Sequence, residues 1–310
     1  MKIAIIGIGN VGSSLSFALI EEPYITELVL YDIRKDYAWA VFEDLTHASV
    51  VLERSIKITL VNSLEEIENV DLIVIAAGVK RKPGMSRRDL ATVNANTIKE
   101  IVEGTIERNR SAYYLLITNP VDAMATLAYN VLGKKNVVIG SGTSLDTARF
   151  KVAIARELGI SPIEVSGFVG GEHGEAAVML WSTVNINGIP LEEYLDTHNI
   201  KVDKQKIEKY VKAIAGEIIK YQNGTKWGPG YVFRDIIRAF AKNENRVLSV
   251  AAPFYLDEIG EEVFVSIPRI VGRRLGKDLF NQLTENERKG IIEAAKAIYQ
   301  TYKRAIGVEK

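Results

Sequence analysis

The residues whose types and spacing could do chemistry centre on one histidine. His173 stands in the run Val-Gly-Gly-Glu-His-Gly-Glu, where the flanking glycines let a ligand and the backbone come close together. Asp146 and Arg149 are three residues apart on a predicted helix and therefore share a face. Such a set suits proton transfer to a small substrate that carries a carboxylate. Each part also has a structural explanation. A lone histidine is more often structural than catalytic, as we expect for His47 and His198. An Asp-x-x-Arg pair on a helix is by itself an ordinary ion pair.

A glycine-rich turn near the start of the chain predicts a pyrophosphate site. Gly7-Ile-Gly9-Asn-Val-Gly12 follows a strongly apolar segment and opens an amphipathic one. One glycine makes the tight turn, one lets backbone N–H groups approach the pyrophosphate, and one lets the helix lie close to the sheet. Asp32 lies 20 residues after Gly12, where a carboxylate accepts hydrogen bonds from the adenosine ribose. The alternative is a plain strand–helix turn with a solvated aspartate.

The residues around Asp32 also bear on the choice of dinucleotide. Its carboxylate would repel a 2′-phosphate, which favours NAD over NADP. Arg34 and Lys35 lie two and three residues further on and offer positive charge, so NADP use is the alternative. Together with His173, the glycine turn predicts a nicotinamide-dependent dehydrogenase.

Composition excludes several other classes of function. Lysine plus arginine equals aspartate plus glutamate at 39 each, so the chain of 310 residues offers no basic field for nucleic acid or anionic lipid. The absence of cysteine excludes disulfides, thiolate nucleophiles and cysteine metal sites, and we expect no metal. The chain opens on a predicted strand, with no room for a signal peptide before it, and contains no apolar run of the roughly 18 residues that a membrane span needs. We therefore expect a cytoplasmic protein.

Short apolar runs alternate with amphipathic stretches through the first 140 residues. The alternation predicts an α/β fold with a Rossmann-type doubly wound parallel sheet. The predicted strands are Lys2–Ile6, Glu27–Tyr31, Ile56–Val61, Asp71–Ala77, Tyr113–Thr118 and Asn136–Ile139. The predicted helices are Val11–Glu21, Asp36–Leu52, Arg88–Arg108 and Val121–Leu132.

The second half predicts a mixed α+β catalytic domain. Its predicted helices are Leu145–Leu158, Asp203–Tyr221, Tyr231–Ala241 and Glu285–Ala305, and its predicted strands are Val178–Ile186, Val247–Tyr255 and Val263–Val265. Asn187-Gly188 is a strong hairpin signal. We divide the chain into a cofactor domain, 1–141, and a substrate domain, 142–310. No proline- or serine-rich linker separates them, so we expect them to pack together with the site at their seam.

Taken together, these segments resemble the malate and L-lactate dehydrogenase family over essentially the whole chain. The resemblance depends on motifs that occur in the family's order and spacing. They are Gly-Ile-Gly-Asn-Val-Gly, Tyr-Asp32, Asp44-Leu-Thr-His-Ala, Ala-Ala-Gly78-Val-Lys-Arg-Lys-Pro-Gly-Met-Ser-Arg87, Val-Asn94-Ala-Asn, Ile-Thr118-Asn119-Pro-Val-Asp, Gly-Thr-Ser-Leu-Asp146-Thr-Ala-Arg149-Phe and Gly-Glu-His173-Gly-Glu.

The resemblance implies a role for each catalytic position. His173 would donate a proton to the substrate oxygen as hydride arrives, and remove it in the reverse direction. Asp146 would fix the imidazole tautomer, and Arg149 would hold the substrate's C1 carboxylate with its two-pronged guanidinium. Arg87, carried by a loop, would polarise the carbonyl, and Asn119 would hydrogen-bond near the reacting oxygen. The cofactor-binding positions implied are Gly7, Ile8, Gly9, Asn10, Val11, Gly12, Asp32, Asn94, Ile117, Thr118 and Asn119.

The resemblance implies that Arg81 determines the choice of substrate. Its position faces the variable end of the substrate, where arginine is typical of malate enzymes and glutamine of lactate enzymes. A second carboxylate, as in oxaloacetate, needs a cation there; the alternative is that Arg81 points to solvent with Lys80 and Lys82. Thr225 stands at another substrate position, where threonine is common in lactate enzymes, so some activity on pyruvate is possible.

We therefore expect an NAD-dependent malate dehydrogenase of the tricarboxylic acid cycle, acting on a small dicarboxylate as a homodimer or homotetramer. L-lactate dehydrogenase is the runner-up. An NAD-dependent glycosidase is disfavoured, since those enzymes use cysteine and histidine metal ligands and this chain has no cysteine. A non-catalytic NAD(H)-binding protein would not need His173, Asp146, Arg87 and Arg149 together.

Overall fold

The computed structural model describes residues 1–79 and 87–308, with the side chains of 87–89 also left out. Its first half contains six parallel strands in the order β3-β2-β1-β4-β5-β6. They are β1 (Lys2–Ile6), β2 (Glu27–Tyr31), β3 (Lys57–Leu60), β4 (Leu72–Ile75), β5 (Tyr113–Leu116) and β6 (Val138–Gly140). This is the doubly wound order, and it confirms the predicted fold class.

Helices cover both faces of these strands. They are α1 (Asn10–Ile20), α2 (Lys35–Val51), α3 (Arg87–Ile106) and α4 (Val121–Val131). One apolar cluster contains side chains from α3 and α4, and another contains side chains from α1 and α2 on the other side. Residues Ile3 to Ile6 of β1 have no exposed surface, because both faces of the strand are covered.

The second half extends the same sheet with antiparallel strands. Its elements are α5 (Ser144–Leu158), β7 (Val165–Gly171), β8 (Ala177–Ile186), β9 (Ile189–Pro190), α6 (Leu191–His198), α7 (Lys204–Gln222), α8 (Trp227–Ala241), β10 (Arg246–Leu256), β11 (Glu261–Val271), β12 (Leu275–Asp278) and α9 (Glu285–Ala305). β6 pairs with β10 where Gly140 faces Ala251, so one sheet of 12 strands runs through the described chain.

Several elements differ from the sequence-based expectation. The predicted strand Val263–Val265 is part of an eleven-residue strand that pairs with β10 along its whole length. β7, α6 and β12 were not predicted at all. The hairpin at Asn187-Gly188 is present, and both residues have positive φ, of 50° and 88°. A third apolar cluster joins α5 and α7 to β7 and β8. Among the described residues, no helix is long and apolar enough to cross a bilayer.

Candidate active site

The glycine turn between β1 and α1 has three glycines with three separate constraints. Gly7 has a φ of 89°, and a Cβ there would lie 2.4 Å from the backbone of Ala77. A Cβ on Gly12 would lie 2.0 Å from the carbonyl oxygen of Gly7, so only glycine lets α1 start this close to β1. Among the residues that the structure describes, a Cβ on Gly9 would meet only Nη2 of Arg34, at 3.7 Å. Gly9 therefore faces the crevice at the carboxyl ends of the parallel strands, where its missing side chain leaves room for a ligand against the backbone.

Asp32 lies beside this turn, just after β2. Its Oδ2 accepts the backbone N–H of Ile8 at 3.1 Å, and its Oδ1 accepts the backbone N–H of Arg34 at 3.0 Å. The guanidinium of Arg34 donates to both oxygens, at 3.0 and 2.9 Å. Burial alone would raise the pKa of Asp32, but these hydrogen bonds outweigh it and hold the pKa below its usual value. The carboxylate is therefore charged at neutral pH.

Other predicted cofactor residues fix the backbone around the crevice. Asn94 accepts the N–H of Val79 at 2.8 Å and donates to the carbonyl of Asn119 at 2.6 Å. Thr118 donates to the carbonyl of Ala77 at 2.6 Å. Both Asn94 and Thr118 are buried, as is Ile117, so these side chains hold the segments after β4 and β5 together. Of the predicted positions in the first turn of α1, Asn10 donates to the carbonyl of Asn223, and Val11 packs on the apolar cluster of α1 and α2.

The first turn of α5 is joined to the end of β7 by two reciprocal hydrogen bonds. Thr143 donates its hydroxyl to the carbonyl of Val169 at 2.5 Å, and the N–H of Val169 donates to the hydroxyl of Thr147 at 3.0 Å. Asp146 lies on this turn, and His173 follows β7 by two residues. The two side chains are held at a fixed separation because the elements that carry them cannot slide past each other.

His173 and Asp146 form a close pair. Nδ1 of His173 lies 2.5 Å from Oδ2 of Asp146, whose residue is only 6 % exposed. A buried carboxylate here accepts the Nδ1–H, which leaves Nε2 as the nitrogen that can exchange a proton with substrate. Burial alone would lower the pKa of His173, but the charge and hydrogen bond of Asp146 outweigh it and raise the pKa. Burial would likewise raise the pKa of Asp146, yet His173 and Arg149 lower it.

Arg149 completes the cluster from the same helix. Its Nη1 donates to Oδ1 of Asp146 at 2.9 Å. Since a guanidinium has five N–H donors, this bond leaves others for a substrate carboxylate. Asp146, Arg149 and His173 line a cavity of about 140 Å³ together with Glu175 and Lys212. That volume suits a small organic acid.

A second buried carboxylate holds the loop of His173. Asp122, in the first turn of α4, accepts the backbone N–H of His173 at 2.8 Å through Oδ2. Burial raises its pKa to about 7, and the nearby carboxylates of Glu172 and Asp146 add to this effect. Our sequence reasoning placed Asp122 at the end of the motif Ile-Thr-Asn-Pro-Val-Asp but gave it no role, because an acid in the first turn of a helix is also explained by the helix dipole. It likewise missed Val211, Lys212 and Ala215 of α7, which line the cavity and carry no sequence signal for that role.

The structure brings some predicted substrate residues to this site and not others. His173, Asp146 and Arg149 lie together, and Asn119 is exposed three residues before Asp122. Thr225 lies half-buried in the segment between α7 and α8 and is not among the residues that line the cavity. Arg81 lies outside the described residues, and for Arg87 only the backbone, at the start of α3, is described.

The crevice residues fit a dinucleotide. The glycine turn, the start of α1 and Asp32 all follow the carboxyl ends of parallel strands, as does the segment after β5. The first N–H groups of α1 have no acceptor within the helix and can donate to a pyrophosphate. This arrangement defines a doubly wound α/β fold with a dinucleotide crevice, and Asp122, three residues after Asn119, joins the loop of His173 to the segment after β5.

Comparisons with known proteins agree. Residues 1–140 match the family model described as lactate/malate dehydrogenase, NAD binding domain, and residues 143–306 match its alpha/beta C-terminal domain. A malate dehydrogenase of Sulfurisphaera tokodaii is 39% identical over 97% of this chain and 95% of its own length. A malate dehydrogenase of Sulfolobus acidocaldarius is 40% identical over 98% of this chain and 96% of its own length. The crystal structure of a minor L-lactate dehydrogenase from Enterococcus mundtii, at 31% identity and 97% coverage of both chains, superposes with a TM-score of 0.89.

The chain belongs to the lactate/malate dehydrogenase family. It is an NAD-dependent 2-hydroxyacid dehydrogenase.

Proposed function

We propose that this protein is a malate dehydrogenase that interconverts (S)-malate and oxaloacetate with NAD(H). The observation that carries the catalytic part is the Asp146 carboxylate, which His173 and Arg149 share at 2.5 and 2.9 Å on the wall of one cavity. A proton-transfer group and a carboxylate-binding group are thereby held at a fixed distance. The glycine turn and Asp32 would hold the pyrophosphate and the adenosine ribose of NAD(H), which would supply or accept the hydride when bound.

The chain's own residues divide the remaining work. Arg149 binds the substrate's C1 carboxylate through N–H groups that Asp146 does not use. His173 donates the proton from Nε2 to the carbonyl oxygen in the reducing direction and accepts it from the hydroxyl in the oxidising direction. Asp146 stabilises the imidazolium and keeps the proton of the neutral ring on Nδ1. Arg87 polarises the carbonyl, and Asn119 hydrogen-bonds near the same oxygen.

The preference for malate is supported by charge and by the relatives. Arg81 supplies a second cation for a second carboxylate. The relatives at 39% and 40% identity are malate dehydrogenases. Thr225 favours the runner-up, a lactate dehydrogenase, since threonine at that position is common in lactate enzymes. Both readings share the cofactor crevice and the His173–Asp146 pair.

A substrate comparison tests the preference directly. NADH oxidation is followed by absorbance with oxaloacetate and with pyruvate, for the wild type and for Arg81→Gln. We expect wild-type kcat/KM to favour oxaloacetate, and the variant to shift preference toward pyruvate by ~30-fold or more, since leaving one member of a buried charge pair unpaired costs on the order of 2–5 kcal/mol. Lys82→Gln, which removes the neighbouring cation, is the matched control and should leave the preference unchanged. Equal kinetics in Arg81→Gln and the wild type would remove Arg81 from this role.

Homo-oligomer formation is part of the same proposal. Large apolar side chains lie exposed on or beside α2, including Trp39 at 59 % and Val51 at 84 % exposure. Apolar surface of this kind along one helix supports association with a second copy. Sedimentation velocity measures it: a single monomeric species at micromolar concentration would contradict it. The division at 141/142 and a cytoplasmic location also belong to the proposal.

A further inference from the structure

One wall of the active-site cavity comes from α7 and carries a charge that the proposed mechanism does not use. Val211, Lys212 and Ala215 line the cavity from this helix. Val211 and Ala215 are four residues apart and share a face of the helix. Of these three residues Lys212 alone is exposed, so it stands where the cavity meets solvent.

The position of Lys212 is fixed by its neighbours along the chain. Val211 is only 2 % exposed and belongs to the apolar cluster that joins α5 and α7 to β7 and β8. Ile207, one turn earlier on α7, is buried in the same cluster. These contacts hold α7 on α5, the helix that carries Arg149. The backbone of Lys212 is therefore kept at the cavity, and its flexible side chain is the part that turns.

Lys212 has no carboxylate of the described protein as a partner. Its ammonium group forms no salt bridge or hydrogen bond within the described part of the chain, and none to Glu175, which lines the same cavity. The carboxylate of Asp146, by contrast, is shared between His173 and Arg149. A cation at the opening of a cavity, with no protein anion beside it, attracts an anionic ligand.

We propose that Lys212 is a specificity-determining residue that attracts the distal carboxylate of a dicarboxylate substrate. This inference rests on the proposed function and adds to Arg81 a second cation, on the described wall of the cavity. Arg149 takes the C1 carboxylate, and a monocarboxylate such as pyruvate has no further charge for Lys212 to meet. Lysine suits this place because its ammonium group is a point charge on a flexible stem. Proton and hydride transfer need no group from Lys212, so it acts on substrate binding and not on the chemical step.

A comparison of two substrates in variants of α7 tests this. The values of kcat and KM are measured for oxaloacetate and for pyruvate at saturating NADH. In Lys212→Gln we expect KM for oxaloacetate to rise ~3- to 10-fold with kcat unchanged, because the lost attraction acts equally on bound substrate and transition state. KM for pyruvate should change less than ~2-fold, since its single carboxylate is held by Arg149.

Two further variants separate this contact from general charge. Lys209→Gln removes a cation from the same helix that is also exposed but is not among the residues that line the cavity. It should leave the ratio of the two kcat/KM values unchanged. Lys212→Arg keeps the charge and should keep that ratio within ~2-fold of the wild type. The melting temperature and the dissociation constant of NADH, measured for each variant, check that the fold and the cofactor crevice are intact.

Ionic strength provides a second readout, which a merely structural role would not move. Raising the ionic strength from about 0.01 to 0.15 M shortens the Debye length from about 30 to about 8 Å. In the wild type, the ratio of kcat/KM for oxaloacetate to that for pyruvate should fall as salt is added. In Lys212→Gln this ratio should start lower and fall less.

The results separate failure of this inference from failure of the proposed function. An unchanged ratio in Lys212→Gln, an equal loss for both substrates, or a loss in kcat alone would overturn the inference. So would an equal change in Lys209→Gln, because general surface charge would then explain the preference. If Arg81→Gln shifts the preference and Lys212→Gln does not, the malate proposal stands and this inference falls. A wild type that reduces neither substrate with NADH would end both.

Discussion

The carboxylate of Asp146 is the group whose removal we predict in most detail. Its two oxygens are divided between Nδ1 of His173, at 2.5 Å, and Nη1 of Arg149, at 2.9 Å. Asp146→Asn keeps the size of the side chain and removes its charge. The amide then cannot stabilise an imidazolium, and one of its ends is a donor that faces a donor. Both consequences act on His173, the residue that exchanges the proton.

The size of the expected effect follows from the burial of the His173–Asp146 pair. At an effective dielectric constant of about 20, unit charges about 4 Å apart attract by ~4 kcal/mol. Burial offsets part of this attraction, but the balance raises the pKa of His173 above its ordinary 6.5. We therefore expect Asp146→Asn to lower the pKa of His173 and to reduce kcat/KM for oxaloacetate reduction by ~100- to 10,000-fold, the usual range for general acid–base catalysis.

The pH profile distinguishes catalysis from simple damage. Reduction requires protonated His173, so its rate falls as pH rises through the pKa of that residue. In Asp146→Asn the midpoint of this fall should move to lower pH, while NADH affinity stays unchanged. Asp257→Asn, an exposed aspartate in the turn between β10 and β11, is the matched control. A profile of Asp146→Asn with the wild-type midpoint would refute the reasoning, whatever the size of the rate loss.

Three further predictions concern stability and binding. In the folded protein the pKa of Asp122 is raised from 3.8 to about 7. Between these two pH values the folded protein therefore binds more protons than the unfolded chain. The free energy of unfolding should fall by up to ~4 kcal/mol as pH rises through that window. Asp122→Asn should remove most of this fall, as urea unfolding at several pH values would show. Gly12→Ala should destabilise the fold by ~1–3 kcal/mol, because its Cβ would overlap the carbonyl oxygen of Gly7, whereas Gly9→Ala should keep the melting temperature and lose NADH affinity. Arg149→Lys should raise KM for oxaloacetate by ~10-fold or more, because a single ammonium cannot make the paired hydrogen bonds of a guanidinium.

A specific result would contradict each of these three predictions. A wild-type slope between pH 4 and 7 in Asp122→Asn would mean that this carboxyl does not carry the pH dependence. Equal losses of stability in Gly9→Ala and Gly12→Ala would contradict the separate constraints assigned to the two glycines. An unaltered KM in Arg149→Lys would show that the substrate carboxylate is held elsewhere.

Much of the first half could be predicted from local pattern. The alternation of apolar runs with amphipathic stretches located all six parallel strands and four helices, with ends within two residues for the strands. The context of the glycine motif, a strand before it and a helix after it, also identified the turn. These features depend on short-range sequence, in which burial of both sheet faces leaves continuous apolar segments.

The parts that were missed depend on contacts between distant residues. β7 contains three glycines, which weaken a strand signal, and the structure constrains all three. Gly167 and Gly171 have φ of 152° and 81°, and a Cβ on Gly170 would lie 3.1 Å from the carbonyl oxygen of Ser266. The join of the two halves through Gly140 and Ala251 spans more than a hundred residues and has no local signature.

The candidate active site likewise has features that local sequence predicts and features that depend on contacts between distant residues. His173, Asp146 and Arg149 could be proposed from residue type and spacing, and the structure brings them together. The buried contact from Asp122 to the backbone of His173 could not, because it joins residues 51 apart. Nor could the sequence show that Arg34 reaches back to fill Asp32 rather than pointing to solvent.

The most direct test of the central claim is His173→Asn, measured for NADH binding and for oxaloacetate reduction in the same preparation. We predict a dissociation constant for NADH like that of the wild type, since His173 bonds to Asp146 and not to the glycine turn, together with a kcat reduced by ~100- to 10,000-fold. Turnover near the wild-type rate, or a loss of NADH affinity with turnover retained, would contradict the assignment of His173 as the group that transfers the proton.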